Sequence, residues 1–191
     1  TKIAWRNLVR NKIYSVINVA GLALGITAFL LILEYVSFEK SYNTFHKNIG
    51  NTYRLVNEDT KGGTWAQVEP GWAEKAKQTF PEIKAYCRFE EGVSQGIVRA
   101  DGDNTEPFRE NAIGYAEGNF FSFFSFPLQK GTPASFNAPN AVFLSANSAQ
   151  KYFGKADPMN KSITLSNQFG EAKYTVKGIY TMPDNSDIRY D

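Results

Sequence analysis

The chain has 191 residues, with one histidine, His46, and one cysteine, Cys87. Nucleophilic catalysis needs a nucleophile beside a base, and a metal site needs several His, Cys, Asp or Glu at ligand spacing. His46 has no Cys, Asp or Glu at such spacing, so it reads as a surface or packing residue. In the run Lys84 to Phe89, Ala85, Cys87 and Phe89 alternate with Lys84, Tyr86 and Arg88. That pattern turns the thiol inward, as a small core hydrophobe and not a nucleophile. A single cysteine excludes an intramolecular disulfide and is compatible with the cytoplasm or with an exported domain. Asp101-Gly102-Asp103-Asn104 gathers acids, but a calcium loop needs Gly at its sixth place and Glu at its twelfth. Counting from Asp101 finds Glu106 and Ala112, so these residues read as a hairpin turn between Gly96–Ala100 and Pro107–Glu110. No phosphate-cradling glycine loop, Cys-x-x-Cys or His-Glu-x-x-His occurs in the sequence. This inventory excludes most nucleophile–base arrangements and leaves a carboxylate-only site open. The expectation is a protein that is not an enzyme, with no catalytic, cofactor-binding or metal residues.

The residues with a clear physical task address lipid. Val16 to Leu33 contains only two polar side chains, Asn18 and Thr27. Eighteen to 22 helical residues, Tyr14 to Tyr35 at the widest, span about 30 Å, the thickness of a bilayer's hydrocarbon core. A core helix would show a polar face, and a cleaved signal peptide a shorter run with a small-x-small site; neither is present. A transmembrane helix is therefore expected over 14–36. Before it, Lys2, Arg6 and Arg10 recur every four residues, with Trp5 and Lys12 nearby. This spacing fits an interfacial amphipathic helix over 1–13, with Lys2, Trp5, Arg6, Arg10 and Lys12 at the membrane interface; the alternative is a solvated helical face. These cations precede the span and Glu34 and Glu39 follow it, so the positive-inside rule puts the N-terminus in the cytoplasm and residues after about 36 in the periplasm. Gly21 and Gly25, one turn apart, form a short Gly-x-x-x-Gly pair where another helix could approach closely.

The remainder is enough for one substantial domain. Formal net charge is +2, yet four cations and no acid precede Glu34, leaving 17 cations against 19 acids beyond them. Such a balance disfavours nucleic acid as a partner. Thr52–Glu58 alternates as a strand, followed by a loop at Lys61-Gly62-Gly63. Pro70 and Gly71 open a helix with Ala73, Ala76 and Phe80 on one face, ended by Pro81. Ala112–Ala116 fits a further strand. Asn119 is placed to cap a short helix carrying Phe120, Phe123 and Phe124, in a cluster completed by Phe121 and Phe126 that is either core packing or an exposed partner surface. A strand at Ala141–Leu144, a cap at Ser145, a helix through Phe153 and a stop at Gly154 come next. Ser162–Ser166 and Ala172–Thr181 read as strands joined by a hairpin-length loop.

Several stretches taken together resemble the start of a MacB/FtsX-type ABC transporter permease, in the form common in Bacteroidetes. They are Ile3-Ala4-Trp5-Arg6-Asn7-Leu8 through Arg10-Asn11-Lys12, Ile17 to Gly25, Ser41-Tyr42-Asn43-Thr44-Phe45-His46 and Tyr53-Arg54-Leu55-Val56. Asn119-Phe120-Phe121, Phe124 to Leu128, Lys151-Tyr152-Phe153-Gly154 and Pro183-Asp184-Asn185-Ser186 continue the match. The resemblance implies a first transmembrane helix followed by a MacB-like periplasmic core domain over 37–191, α+β in class. It implies two lobes: a small βαβ porter-like lobe, to which Thr52 to about Ala116 contributes, and a mostly β lobe with a helix from about Gly118.

The resemblance also implies an inner-membrane permease subunit that works as a homo- or heterodimer with a separate cytoplasmic ABC ATPase. ATP would sit on that ATPase, with no cofactor in this chain. Motion would pass through the membrane helices to a periplasmic domain, for substrate export or mechanotransmission, with a periplasmic adaptor or substrate protein as a further partner. The family carries at least three more spans than this sequence shows, so the chain reads as a piece of a longer permease. The competing reading is a single-span, membrane-anchored periplasmic binding or adaptor protein without ATP-driven transport.

Overall fold

A computed structural model describes residues 10–91, 94–101 and 106–190 of the chain. Contacts divide it into two compact units, meeting in sequence between Tyr42 and Asn43. The first unit is dominated by helix α1, Lys12–Lys40. Its 29 residues rise about 43 Å. It ends at Ser41, whose hydroxyl donates to Phe38 O at 2.6 Å.

Among the described residues the second unit is an α+β domain of ten strands and three α-helices, in which β3 (Phe89–Glu91) and β6 (Gly114–Ala116) pair apart from the main sheet. Its main sheet runs β5-β4-β9-β10-β7, with β8 also on β10. The strands are β4 (Gly96–Ala100), β5 (Phe108–Glu110), β7 (Leu128–Lys130), β8 (Ala141–Ser145), β9 (Ser162–Asn167) and β10 (Gly170–Tyr180). Two of its pairs are the hairpins expected from alternation and turn residues: β4 with β5, and β9 with β10. Gly170 closes the second hairpin at φ 108°, a conformation that costs glycine little. The tip of the first hairpin, Gly102 to Asn104, lies outside the described residues.

β8 is different: it joins β10 in parallel, Thr175↔Ala141 to Tyr180↔Ser145, across a bulge between Val176 and Gly178. Both strands are covered on two sides, as parallel pairs usually are. Leu144 and Ile179 enter one core, with Val98, Ala100, Ile163, Leu165 and Val176. Phe143 and Tyr180 enter the other, with Phe120, Phe121 and Phe126. The bulge lets Val176 and Ile179, three residues apart, enter the same core, and at Gly178 the Phe143 ring lies where a Cβ would stand. Helix α4 (Ala146–Phe153) closes the first core with Ala149 and Tyr152. It begins as expected, with the Ser145 hydroxyl accepting the Ser148 N–H at 3.0 Å, and stops at Gly154, φ 59°.

Four local expectations are revised. Of Thr52–Glu58 only β1 (Asn57–Glu58) is a strand, paired with β2 (Thr64–Trp65), while Tyr53 is 85% exposed. Its turn is set by the Asp59 carboxylate, which accepts the N–H groups of Lys61 at 2.7 Å and Gly63 at 2.8 Å. Those bonds hold Asp59 below the usual carboxylate range. Asn119 precedes α3 (Phe120–Phe123) but makes no side-chain cap bond; its amide instead donates to Tyr86 O at 2.8 Å. Gly96–Ala100 and Phe108–Glu110 join the main sheet, through the pairing of β4 with β9, and not the first lobe, because Val98 and Ala100 lie opposite Leu165 and Ile163. Helix α2 (Trp72–Thr79) buries Ala73, but Phe80 beyond its end is 55% exposed.

Candidate membrane span and the clasp that follows it

Helix α1 is long and apolar enough to cross a membrane, and none of its residues is buried. Val16, Ile17 and Leu22 are each more than 60% exposed, at positions spread around the helix. Each Leu, Ile, Phe or Val would favour the bilayer by about 0.3–0.6 kcal/mol at the helix centre. Thr27 turns its hydroxyl back to Ala23 O at 2.8 Å, which satisfies a polar group where no water would be available. Gly21 and Gly25 stand in open space, with no atom within 4 Å of where a Cβ would be. Arg10 and Lys12 are exposed at the start of the helix. Lys2, Trp5 and Arg6 lie outside the described residues.

Three residues after Lys40, the chain enters the domain through a clasp that sequence reasoning missed. Asn43 adopts φ 60°, a left-handed conformation that Asn tolerates better than most residues. Its N–H donates to Asn185 O at 2.8 Å, and its side-chain amide donates to the Asp187 carboxylate at 2.6 Å. Asp187 N–H returns a bond to Asn43 Oδ1 at 3.1 Å. Ser186, fully buried between these acceptors, donates to Ile188 O at 2.8 Å and so holds the far side of the clasp in shape.

The next turn is anchored on the aromatic core. His46 is 6% exposed, 4.0 Å from the Phe45 ring, 5.3 Å from Phe126 and 5.4 Å from Phe124 by ring centres. Ser125 N–H donates to His46 Nδ1 at 3.2 Å, and Lys47 N–H donates to Ser125 Oγ at 3.1 Å. Burial holds the imidazole below its ordinary pKa. Of the two sequence readings for His46, packing is the one observed. Two stretches singled out for the resemblance, Ser41–His46 and Pro183–Ser186, thus meet in space; their joint appearance was the available signal for this contact.

Of the five phenylalanines from Phe120 to Phe126, Phe120, Phe121 and Phe126 are buried in the second core, Phe124 packs against it partly exposed, and Phe123 is half-buried outside it. Phe120 and Phe126 stack at 5.7 Å, and Phe121 lies 4.4 Å from Phe143. Nearby, Arg88 donates to Glu117 Oε1 at 2.8 Å and to Pro70 O at 2.7 Å, beside a cavity of about 270 Å³ lined by Lys77, Ala85, Tyr86, Glu117 and Asn119. Glu117, by its hydrogen bond and its charge, holds the Arg88 guanidinium firmly protonated. Cys87 is half-buried, and burial first, then Glu117, pushes its thiol up to about 12. A thiol so shifted carries almost no thiolate at neutral pH and is a poor nucleophile. Among the described residues no group of three His, Cys, Asp or Glu is placed to hold a metal.

An apolar helix of membrane-spanning length running in sequence into a compact α+β domain defines the class, a folded domain preceded by a candidate membrane helix. The particular family follows from comparison: the MacB-like periplasmic core domain matches residues 15–190, so the chain belongs to that family. Its fold is similar to a crystal structure of a domain of a permease protein from Porphyromonas gingivalis, at 20% identity and TM-score 0.54, covering 68% of this chain and 53% of that one. Two further structures overlap less well. One is the periplasmic region of MacB from Actinobacillus actinomycetemcomitans (12% identity, TM-score 0.41, 73% of this chain and 58% of that one). The other is the extracellular domain of the noncanonic ABC-type transporter YknZ from Gram-positive bacteria (13%, TM-score 0.39, 62% of each chain). The chain spans between 53% and 62% of these structures' lengths. No curated protein sequence matches it.

Proposed function

We propose that the chain supplies the first membrane span and periplasmic core of a permease subunit of a MacB/FtsX-type ABC transporter. In this role it passes the motion of a cytoplasmic ATPase to the periplasmic domain, for substrate export or mechanotransmission. The observation that carries the reading is continuity: the family match begins inside α1, at residue 15, and runs unbroken to residue 190. Helix and domain therefore belong to one inherited unit. Arg10 and Lys12, with Lys2 and Arg6 before them, favour a cytoplasmic N-terminus by the positive-inside rule, with Trp5 at the interface. The bare faces of Gly21 and Gly25 suit close approach of a second permease helix. ATP belongs on the partner ATPase and no cofactor on this chain.

The test is purification of the full-length protein from its native membrane in mild detergent. Recovery of an ABC ATPase in fixed proportion, with ATP hydrolysis that responds to the permease, supports the proposal. A protein purified intact without any ATPase, and without effect on nucleotide hydrolysis, favours the membrane-anchored adaptor instead.

A further inference from the structure

The clasp contains a titratable group that none of the foregoing roles uses. Ser125 N–H donates to His46 Nδ1, so the neutral ring carries its proton on Nε2. Nε2 has no hydrogen-bond partner among the described residues. A second proton would have to go onto Nδ1, the atom that now accepts. The Ser125 N–H would then face another donor, and its bond would be lost. The charge would also lie in a site only 6% exposed, walled by Phe45, Phe124 and Phe126. Among the described residues no carboxylate pairs with it: on its own segment the nearest charged residue in sequence is Lys47, exposed and of the same sign. Phe124 to Phe126 contribute rings and a serine. From the C-terminal segment, Asp187 is engaged by Asn43.

We propose that the Asn43–Lys47 segment is an acid-released latch: neutral His46 seats it on Phe124–Phe126, and protonation of the imidazole frees it. The segment is the first of the domain to follow α1 in sequence. The direction in pH follows from linkage. In the released state the ring titrates at its ordinary value of about 6.5, and in the seated state lower, because burial penalises the charge. Seating is thus complete above 6.5. As pH falls from there towards the seated value, the release equilibrium rises about tenfold per unit, and below that value it levels off.

The full chain in detergent micelles provides the test, helped by its single histidine, whose NMR signal needs no assignment by mutation. Imidazole shifts and amide exchange, corrected for intrinsic rates, are followed from pH 7.5 to 5. The expected result is an imidazole titrating below 6.5 while protection of the Lys47 and Ser125 amides falls by up to about tenfold per pH unit. Amides at the centre of β9 and β10 keep their protection. His46→Phe preserves ring volume without a titratable group and is expected to abolish the pH dependence. An imidazole that titrates at or above 6.5 overturns the proposal, as does an unchanged slope in His46→Phe. Should that variant fail to fold, the wild-type titration and exchange decide alone.

Discussion

Replacing Asn43 tests whether the clasp holds the domain's two ends together. Asn43→Ala removes the charge-assisted bond to the Asp187 carboxylate and the return bond from Asp187 N–H. Such bonds contribute about 1.5–3 and 0.5–1.5 kcal/mol respectively when shielded. Asp187 is exposed, so water recovers part of each, and a combined loss of about 1–2 kcal/mol is reasonable. Alanine at φ 60° adds about 1 kcal/mol of backbone strain. The total, about 2–3 kcal/mol, corresponds to a fall in Tm of about 5–10 °C for a domain of this size, readable by calorimetry of the full chain in micelles. Asn43→Gly loses the same bonds but little backbone energy, so it should be milder than Ala by a few tenths to about 1 kcal/mol. Asn43→Asp sets two carboxylates together and should be the worst at low salt, recovering as salt is added. If all three variants stay within about 0.5 kcal/mol of the parent, the clasp contributes nothing and the reasoning fails.

Three other predictions are more compact. Gly178→Ala should cost about 1–3 kcal/mol by urea unfolding, because its methyl would enter the space of the Phe143 ring between the two cores; an unchanged midpoint would show that the ring moves freely. Cys87, with its thiol pushed up to about 12, should react with a maleimide at pH 7 far more slowly than a cysteine placed at exposed Lys61, and equal rates would contradict its half-buried setting. Replacing Gly21 and Gly25 together with Leu should weaken crosslinking to a partner helix along that face, while unchanged crosslinking removes these glycines from any interface.

Local rules made much of the fold legible. The hairpins at β4–β5 and β9–β10, the Ser145 cap and the Gly154 stop each depend on a few neighbouring residues, and all four are where alternation, cap and turn chemistry put them. Failures came where a distant partner decides. Thr52–Val56 has strand-like composition, yet among the described residues nothing pairs with it, and only Asn57–Glu58 is a strand. Asn119 has the right place for a cap, but the Tyr86 carbonyl takes its amide. The parallel β8–β10 pair leaves no local mark, since each strand is merely a short apolar run with two buried faces. The clasp was hardest of all, because Asn43 and Asp187 lie 144 residues apart and neither is unusual alone. For the candidate membrane span the position is reversed: length and composition carry it, and exposure on every side of α1 adds the physical reason.

The central claim is that α1 crosses the bilayer and holds the domain outside the cytoplasm. Its most direct test is cysteine accessibility in intact cells, using full-length protein with Cys87→Ser to remove the native thiol. Lys61→Cys reports from the exposed β1–β2 turn and Lys12→Cys from the start of α1. With the outer membrane made permeable, a charged maleimide that cannot cross the inner membrane should label position 61 and leave position 12 unlabelled until the cells are lysed. Labelling at 12 and protection at 61, or equal labelling of both before lysis, would contradict the account.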